Sequence, residues 1–205
     1  MRLYILAEHQ PQPGLPDWIE VSCVHRGDTD YMLAYVSPID ARIEQHWLNR
    51  GGKRYRVVPF DQINPTAFIE SHDGSLNVCV VYGFAAHAGR LTADPKTGQV
   101  PLALGIWQRF AIAPERRAHF SLEFGEMHPA LGRIFVAAGL RTHSETLAEV
   151  AEYAPIEIER IADDARQRIK PRMRGDTNTE YAIYDISARR WRCAPLDRIR
   201  TRSIN

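Results

Sequence analysis

The stretch YMLAYVSPIDARIEQHWLNRGGKRYRVVPFDQINPTAFIESHDGSLNVCVVYGF, residues 31–84, decides how this chain folds. The run YMLAYV predicts a strand that leads straight into a helix start. Ser37 offers a capping oxygen, Pro38 suits the first helical position, and Asp40 stands three residues after the cap. Ile39, Ile43, Trp47 and Leu48 then fall on one face of a helix that runs to about Asn49, where Gly51 and Gly52 stop it. YRVVPF reads as a strand, and Asn64 followed by Pro65 opens a short helix to about Glu70. HDGS turns the chain, and LNVCVVYGF is a strand apolar enough for a sheet centre. Strand, helix, strand, helix, strand in this order predicts half of an α/β sheet.

Working outward, Leu3 to Ala7 and Trp18 to Val24 read as strands, joined by the proline-rich QPQPGLP, which has no place inside a sheet. Downstream, GRLTADPKTGQVPLAL predicts strand, turn and strand, with Asp94, Pro95 and Gly98 supplying the turn. Residues 106–112 and 119–124 are further strands, so the middle of the chain reads as antiparallel. Pro129 opens a helix with Leu131, Ile134, Phe135 and Ala138 on one face, closed by Gly139. Thr142 with Glu145 suggests a capping box for a helix to about Tyr153. Pro155 starts a third helix, with Ile158, Ile161, Ala165 and Ile169 on one stripe and Pro171 beyond its end. TEYAIYDISARRWRCA reads as a β-hairpin around residues 187–190. The expected class is α+β: a mixed β-sheet with helices packed against it, then C-terminal helices and a hairpin. One domain over residues 1–205 is expected, with a sub-boundary near 142 between an α/β sheet portion (1–141) and the helices plus hairpin (142–205).

With 205 residues, 44% of them hydrophobic and 25% charged, the chain has the composition of a globular protein that buries roughly 70% of its unfolded surface. That excludes a disordered, collagenous or disulfide-stapled chain. Cys23, Cys79 and Cys193 are far apart, with no CxxC and no histidine at metal-ligand spacing, which favours a reducing compartment. The apolar run near the N-terminus, Leu3 to Ala7, is too short for a signal-peptide core, and no later run reaches the ~18 residues of a membrane span. A cytoplasmic protein is the expectation.

The formal net charge of +1 hides an asymmetry. Residues 166–205 carry 11 Lys plus Arg against the 4 acids Asp176, Glu180, Asp185 and Asp197. Just before them, Glu145, Glu149, Glu152, Glu157, Glu159, Asp163 and Asp164 face a single base, Arg160. Either the two segments neutralise one another or one is a partner surface, since a concentrated field steers an oppositely charged partner. Nucleic acid is the weaker candidate partner. Tyr181, Tyr184 and Trp191 in the basic tail offer faces for bases, but YAIYDIS alternates as a strand whose aromatics belong to a sheet.

No motif identifies a reaction and no cofactor is expected. His119, Glu123, Glu126 and His128 are the one grouping with metal-ligand chemistry, two imidazoles and two carboxylates suited to several divalent ions, but without HExxH. They also serve as loop residues for partner contact. His72 and Asp73 before Gly74 are turn chemistry. Ser37 lacks the GxSxG elbow of a nucleophile, and Cys79 in an apolar strand is an inert thiol. GFAAHAGR, with His87 and Arg90, lacks GxGxxG spacing but offers a loop for an anion.

In the order of its elements, the 31–84 stretch resembles the SseB-type N-terminal domain: a strand ending in a capped helix, a second strand, a short helix and a nonpolar strand. The resemblance implies a recurring module of small bacterial proteins without assigned catalysis, including immunity factors encoded beside secreted polymorphic toxins. It carries no functional residue. The reading is therefore a cytoplasmic protein-binding protein, an immunity protein that occludes a basic toxin domain, contacting it through Glu123, Glu126, His128, Glu145, Glu149, Glu152 and Glu157. Two alternatives stand beside it: a metal-assisted hydrolase using His119, Glu123, Glu126 and His128, and an adaptor or structural protein of a secretion or phage apparatus.

Overall fold

The structure is a computed structural model, and it describes residues 2–10, 18–94, 96–119, 127–169, 172–173 and 178–196. These form an α+β protein with eleven strands in a mixed sheet and five α-helices around it. The strands are β1 (Tyr4–Gln10), β2 (Trp18–Val21), β3 (Cys23–Arg26), β4 (Thr29–Tyr35), β5 (Arg56–Pro59), β6 (Ser75–His87), β7 (Arg90–Ala93), β8 (Leu102–Ala111), β9 (Arg172–Met173), β10 (Glu180–Asp185) and β11 (Arg190–Pro195). The helices are α1 (Pro38–Arg50), α2 (Thr66–Ser71), α3 (Met127–Ala137), α4 (His143–Val150) and α5 (Pro155–Gln167). The chain groups into two compact units, one of the described residues of 2–81 and 105–123, the other of the described residues of 82–104 and 124–205.

In the first unit β4 and the start of β6 run parallel, Met32 opposite Val78 through Tyr35 opposite Val81. A parallel pair needs a crossover, and α1, β5 and α2 provide it. The start of α1 follows its local sequence. Ser37 is extended and its Oγ accepts from the amides of Ile39 at 3.2 Å and Asp40 at 3.4 Å. Ile39 and Ile43 are buried as their spacing predicts, whereas Trp47 and Leu48 are only half-buried. Gly52, at φ 96°, takes the left-handed turn that ends the helix.

The single strand expected over Trp18 to Val24 is instead two strands with a corner at Ser22. β2 pairs with β1, and β3 pairs with β4. The Ser22 amide donates to the Leu6 carbonyl at 2.9 Å, and its carbonyl accepts from the Leu33 amide at 2.9 Å. One residue thus passes the chain from one partner strand to another, a bend that the alternation of its neighbours does not encode.

In the second unit the rest of β6 pairs with β10 (Glu180 opposite Ala86 through Ala182 opposite Phe84) and with β7. The loop expected at GFAAHAGR is mostly strand. β6 continues to His87 and returns through Ala88 and Gly89, at φ 50° and 72°, the two positive angles of a tight hairpin. Gly83 sits in the strand because β10 passes too close for a side chain. A Cβ there would stand 2.3 Å from the Ala182 carbonyl oxygen.

α3 begins at Met127, two residues before the expected Pro129, and buries Leu131, Ile134, Phe135 and Ala138 as predicted. Gly139, at φ 75°, closes it, with the Leu140 amide on the Phe135 carbonyl at 2.8 Å. The capping box at Thr142 does not form, since the Thr142 side chain accepts no cap hydrogen bond. The C-terminal hairpin is present, in register from Glu180 opposite Pro195 to Asp185 opposite Arg190. Of the strand expected over 119–124, His119 ends a 3-10 turn (Pro114–His119), and residues 120–126 lie outside the described residues.

Candidate functional site

The acids of α4 and α5 divide into an inner and an outer set. On α4, His143, Leu147 and Val150 are buried, so Glu145, Glu149 and Glu152 are turned out and exposed. Among the described residues none of these three makes an ion pair, nor does Glu159 on α5. Glu157 is exposed too, and its carboxylate accepts from the Ala154 amide at 3.1 Å, closing the start of α5. The connection between the helices also exposes Tyr153 and Ile156, two of the four large apolar side chains that stand exposed among the described residues. Exposed acids thus stand on either side in sequence of an exposed apolar pair, and contacts between proteins commonly combine an apolar centre with a polar rim.

The inner acids are engaged. Asp164 receives two hydrogen bonds from the Arg168 guanidinium, both 2.8 Å, and one from the Tyr184 hydroxyl at 2.5 Å. The Arg168 and Tyr184 bonds hold its carboxyl down to about 2. Asp163 pairs with Arg166 at 2.6 Å. The Trp191 indole donates to the Ala165 carbonyl at 3.1 Å, and the Tyr181 hydroxyl to the Ile134 carbonyl at 2.7 Å. The hairpin thus holds α5 by neutral donors, while its Arg192 pairs with Asp185 of the same hairpin at 3.0 Å. Tyr181 and Tyr184 are buried, and Trp191 makes edge contacts with Phe84 and Tyr184. These rings belong to the sheet and offer no face to a base.

The first unit holds acids of another kind, which the sequence does not single out. α1 packs on β1, β4 and β5. Asp40 is only 1% exposed, its Oδ2 has no hydrogen-bond partner among the described residues, and burial pushes its carboxyl up to about 7. Glu44, one turn on, is buried as well. The Tyr35 hydroxyl, also without a hydrogen-bond partner among these residues, is raised well above its ordinary value by burial and then by Glu44 and Asp40. Among the described residues no ion pair offsets the burial of Asp40, which disfavours its charged form. The spacing of Asp40 and Glu44 does place them on one helical stripe, the only signal of this layer in the sequence.

The remaining expected residues are accounted for in turn. Glu123 and Glu126 lie outside the described residues. His119 and His128 are described in backbone only, His128 in the first turn of α3, so the four-residue grouping has no side-chain geometry. Among the described residues no group of three or more His, Cys, Asp or Glu is placed to hold a metal ion. His72 caps α2 and its Nδ1 lies 2.7 Å from the Phe68 carbonyl. Cys79 is buried and its thiol is pushed up to about 12, mainly by burial. At the β6–β7 turn, the amide an anion would use is taken. Gly89 donates to the Glu180 carboxylate at 2.7 Å, and His87 Nδ1 lies 2.9 Å from Thr179 Oγ1.

These features define an α+β protein in which Glu145, Glu149, Glu152 and Glu159 are exposed and, among the described residues, make no ion pair. No described helix is long and apolar enough to cross a membrane. Comparison of the chain with protein-family models, with curated proteins and with solved structures returned no match.

Proposed function

We propose that this chain is a cytoplasmic protein-binding protein that docks a basic partner on the outer face of α4 and the α4–α5 connection. Its leading form is an immunity protein that occludes the basic cleft of a secreted toxin. The observation that carries the reading is the pairing of exposed Glu145, Glu149 and Glu152 with the exposed side chains of Tyr153 and Ile156. Three arginines of the C-terminal segment are engaged elsewhere: Arg166 with Asp163, Arg168 with Asp164, and Arg192 with Asp185. A single-sign field left uncovered speeds encounter with an oppositely charged protein and weakens with salt.

The test is capture on the tagged protein at low and high salt, repeated with Glu149, Glu152 and Glu157 changed to Lys. A stoichiometric basic protein that is held by the native chain, released by salt and absent from the reversed variant is the expected result. Capture indifferent to both, or no captured protein with one equivalent of bound metal, removes the reading.

A further inference from the structure

Each unit packs a helix against tyrosine, tryptophan and aspartate side chains, and the two treat these groups differently. Beside α5 the Tyr184 hydroxyl donates to Asp164 at 2.5 Å, and the Trp191 indole donates to the Ala165 carbonyl at 3.1 Å. At the seam of α1 with its sheet, Asp40 Oδ2, the Tyr35 hydroxyl and the Trp47 indole nitrogen are all buried without a hydrogen-bond partner among the described residues. Asp40 and Trp47 lie on one stripe of α1, and Tyr35 on β4 lies within the field of Glu44 and Asp40. A buried polar group without a partner lacks, in the docked state, a hydrogen bond that water supplies on exposure. Each such group therefore favours opening.

The two halves of α1 are also held by different means. Its second half is latched to the start of β5. Gln45 and Asn49 donate to the Tyr55 carbonyl at 2.6 and 3.1 Å, and the Tyr55 amide donates to Asn49 at 2.9 Å. The first half, residues 38–44, rests on the burial of Ile39, Ala41 and Ile43. Apolar contact keeps it down, and the same contact closes Asp40 and Tyr35 off from water.

We infer that the first half of α1 is an opening segment: it lifts from β1 and β4 and closes again while the strands beneath it stay paired, and the lifted state gives water to Asp40 and Tyr35. A segment this short does not hold a helix by itself in water, so it unwinds as it lifts. The Tyr55 latch keeps the second half of α1 as the pivot. Where α5 meets the hairpin, the same kinds of group have their partners and supply no such drive. Elements that move when a protein switches are drawn from segments that open below the global unfolding free energy.

Amide hydrogen exchange of the full chain, followed residue by residue by NMR at a single pH, tests this. With two unsatisfied groups at about tenfold each, the amides of Ala41 to Glu44 are expected to be about a hundredfold less protected than those of Met32 to Tyr35 in β4 and Val78 to Val81 in β6. Tyr35→Phe removes the unsatisfied hydroxyl and breaks no hydrogen bond among the described residues. It is expected to slow exchange at Ala41 to Glu44 about tenfold. Tyr184→Phe, which removes a hydroxyl that has its partner, is expected to speed exchange in α5 about fivefold. Equal protection of α1 and the strands would show helix and sheet opening as one, and overturns the inference. So does a Tyr35→Phe protein in which exchange at Ala41 to Glu44 is unchanged or faster.

Discussion

α1 and α5 are both helices of 13 residues, both carry proline at the start, and both hold acids at one-turn spacing, yet their carboxylates do opposite things. In α1, Asp40 and Glu44 face the sheet and are buried. In α5, Glu157 and Glu159 face water, while Asp164 lies inward between Arg168 and Tyr184. A carboxylate moved out of water without a cation takes a proton, whereas one given a guanidinium and a phenol loses it more readily. Asp40 at about 7 and Asp164 at about 2 stand on either side of the ordinary value of 3.8 for these reasons. Helix sequence alone does not rank them. What ranks them is the surface each helix packs on.

The largest effect that tests this contrast is on stability against pH. Asp40 has a raised folded pKa, so unfolding releases a proton between pH 3.8 and about 7, and stability falls as pH rises through that window. The loss totals about 4 kcal/mol if the shift is fully expressed. Asp40→Asn is expected to remove it, making the variant more stable than the native chain at pH 8 and nearly equal to it at pH 4, as read from urea midpoints at each pH. His143, lowered to about 4 chiefly by burial, titrates in the same window with the opposite slope, but it is common to both proteins and cancels in the difference. Equal pH profiles for the two proteins would show that Asp40 is solvated.

A smaller effect is expected at Tyr184. Tyr184→Phe deletes the 2.5 Å hydrogen bond to Asp164 and is expected to cost about 1 kcal/mol, with the Asp164 pKa rising towards 3.8 by carboxyl NMR. An unmoved pKa would leave Arg168 as the sole cause. The smallest effect is expected on the outer face, where Glu145→Gln, Glu149→Gln and Glu152→Gln should each change stability by less than about 0.5 kcal/mol. The same three changes together should weaken partner capture and its salt dependence. Exposed acids that stabilise the fold by more than this would erase the distinction between the two helices.

Much of the chain was legible because its causes are local. Ser37 and Pro38 start α1, and Gly139 ends α3. The alternation of YAIYDIS is that of a strand. Each of these needs only neighbours within a turn or two. The misreadings have remote causes. GFAAHAGR looked like a loop because of its glycines, but Gly83 is there to let β10 approach, and β6 continues through Ala85 and Ala86. Ser22 bends the chain because β1 and β4 both claim its backbone.

The candidate site shows the same division. The sequence by itself determined the α+β class, the capped start of α1, the C-terminal hairpin and the concentration of acids before a basic tail, since periodicity, caps and charge counts are properties of short windows. Only the tertiary structure decided that the tail holds α5 through Tyr184 and Trp191 while Glu145, Glu149 and Glu152 keep their charge exposed, and that Asp40 is buried and its carboxyl pushed up to about 7. The reason is physical. The state of a carboxylate depends on how much water surrounds it and which donors reach it, and both are supplied by residues distant in the chain.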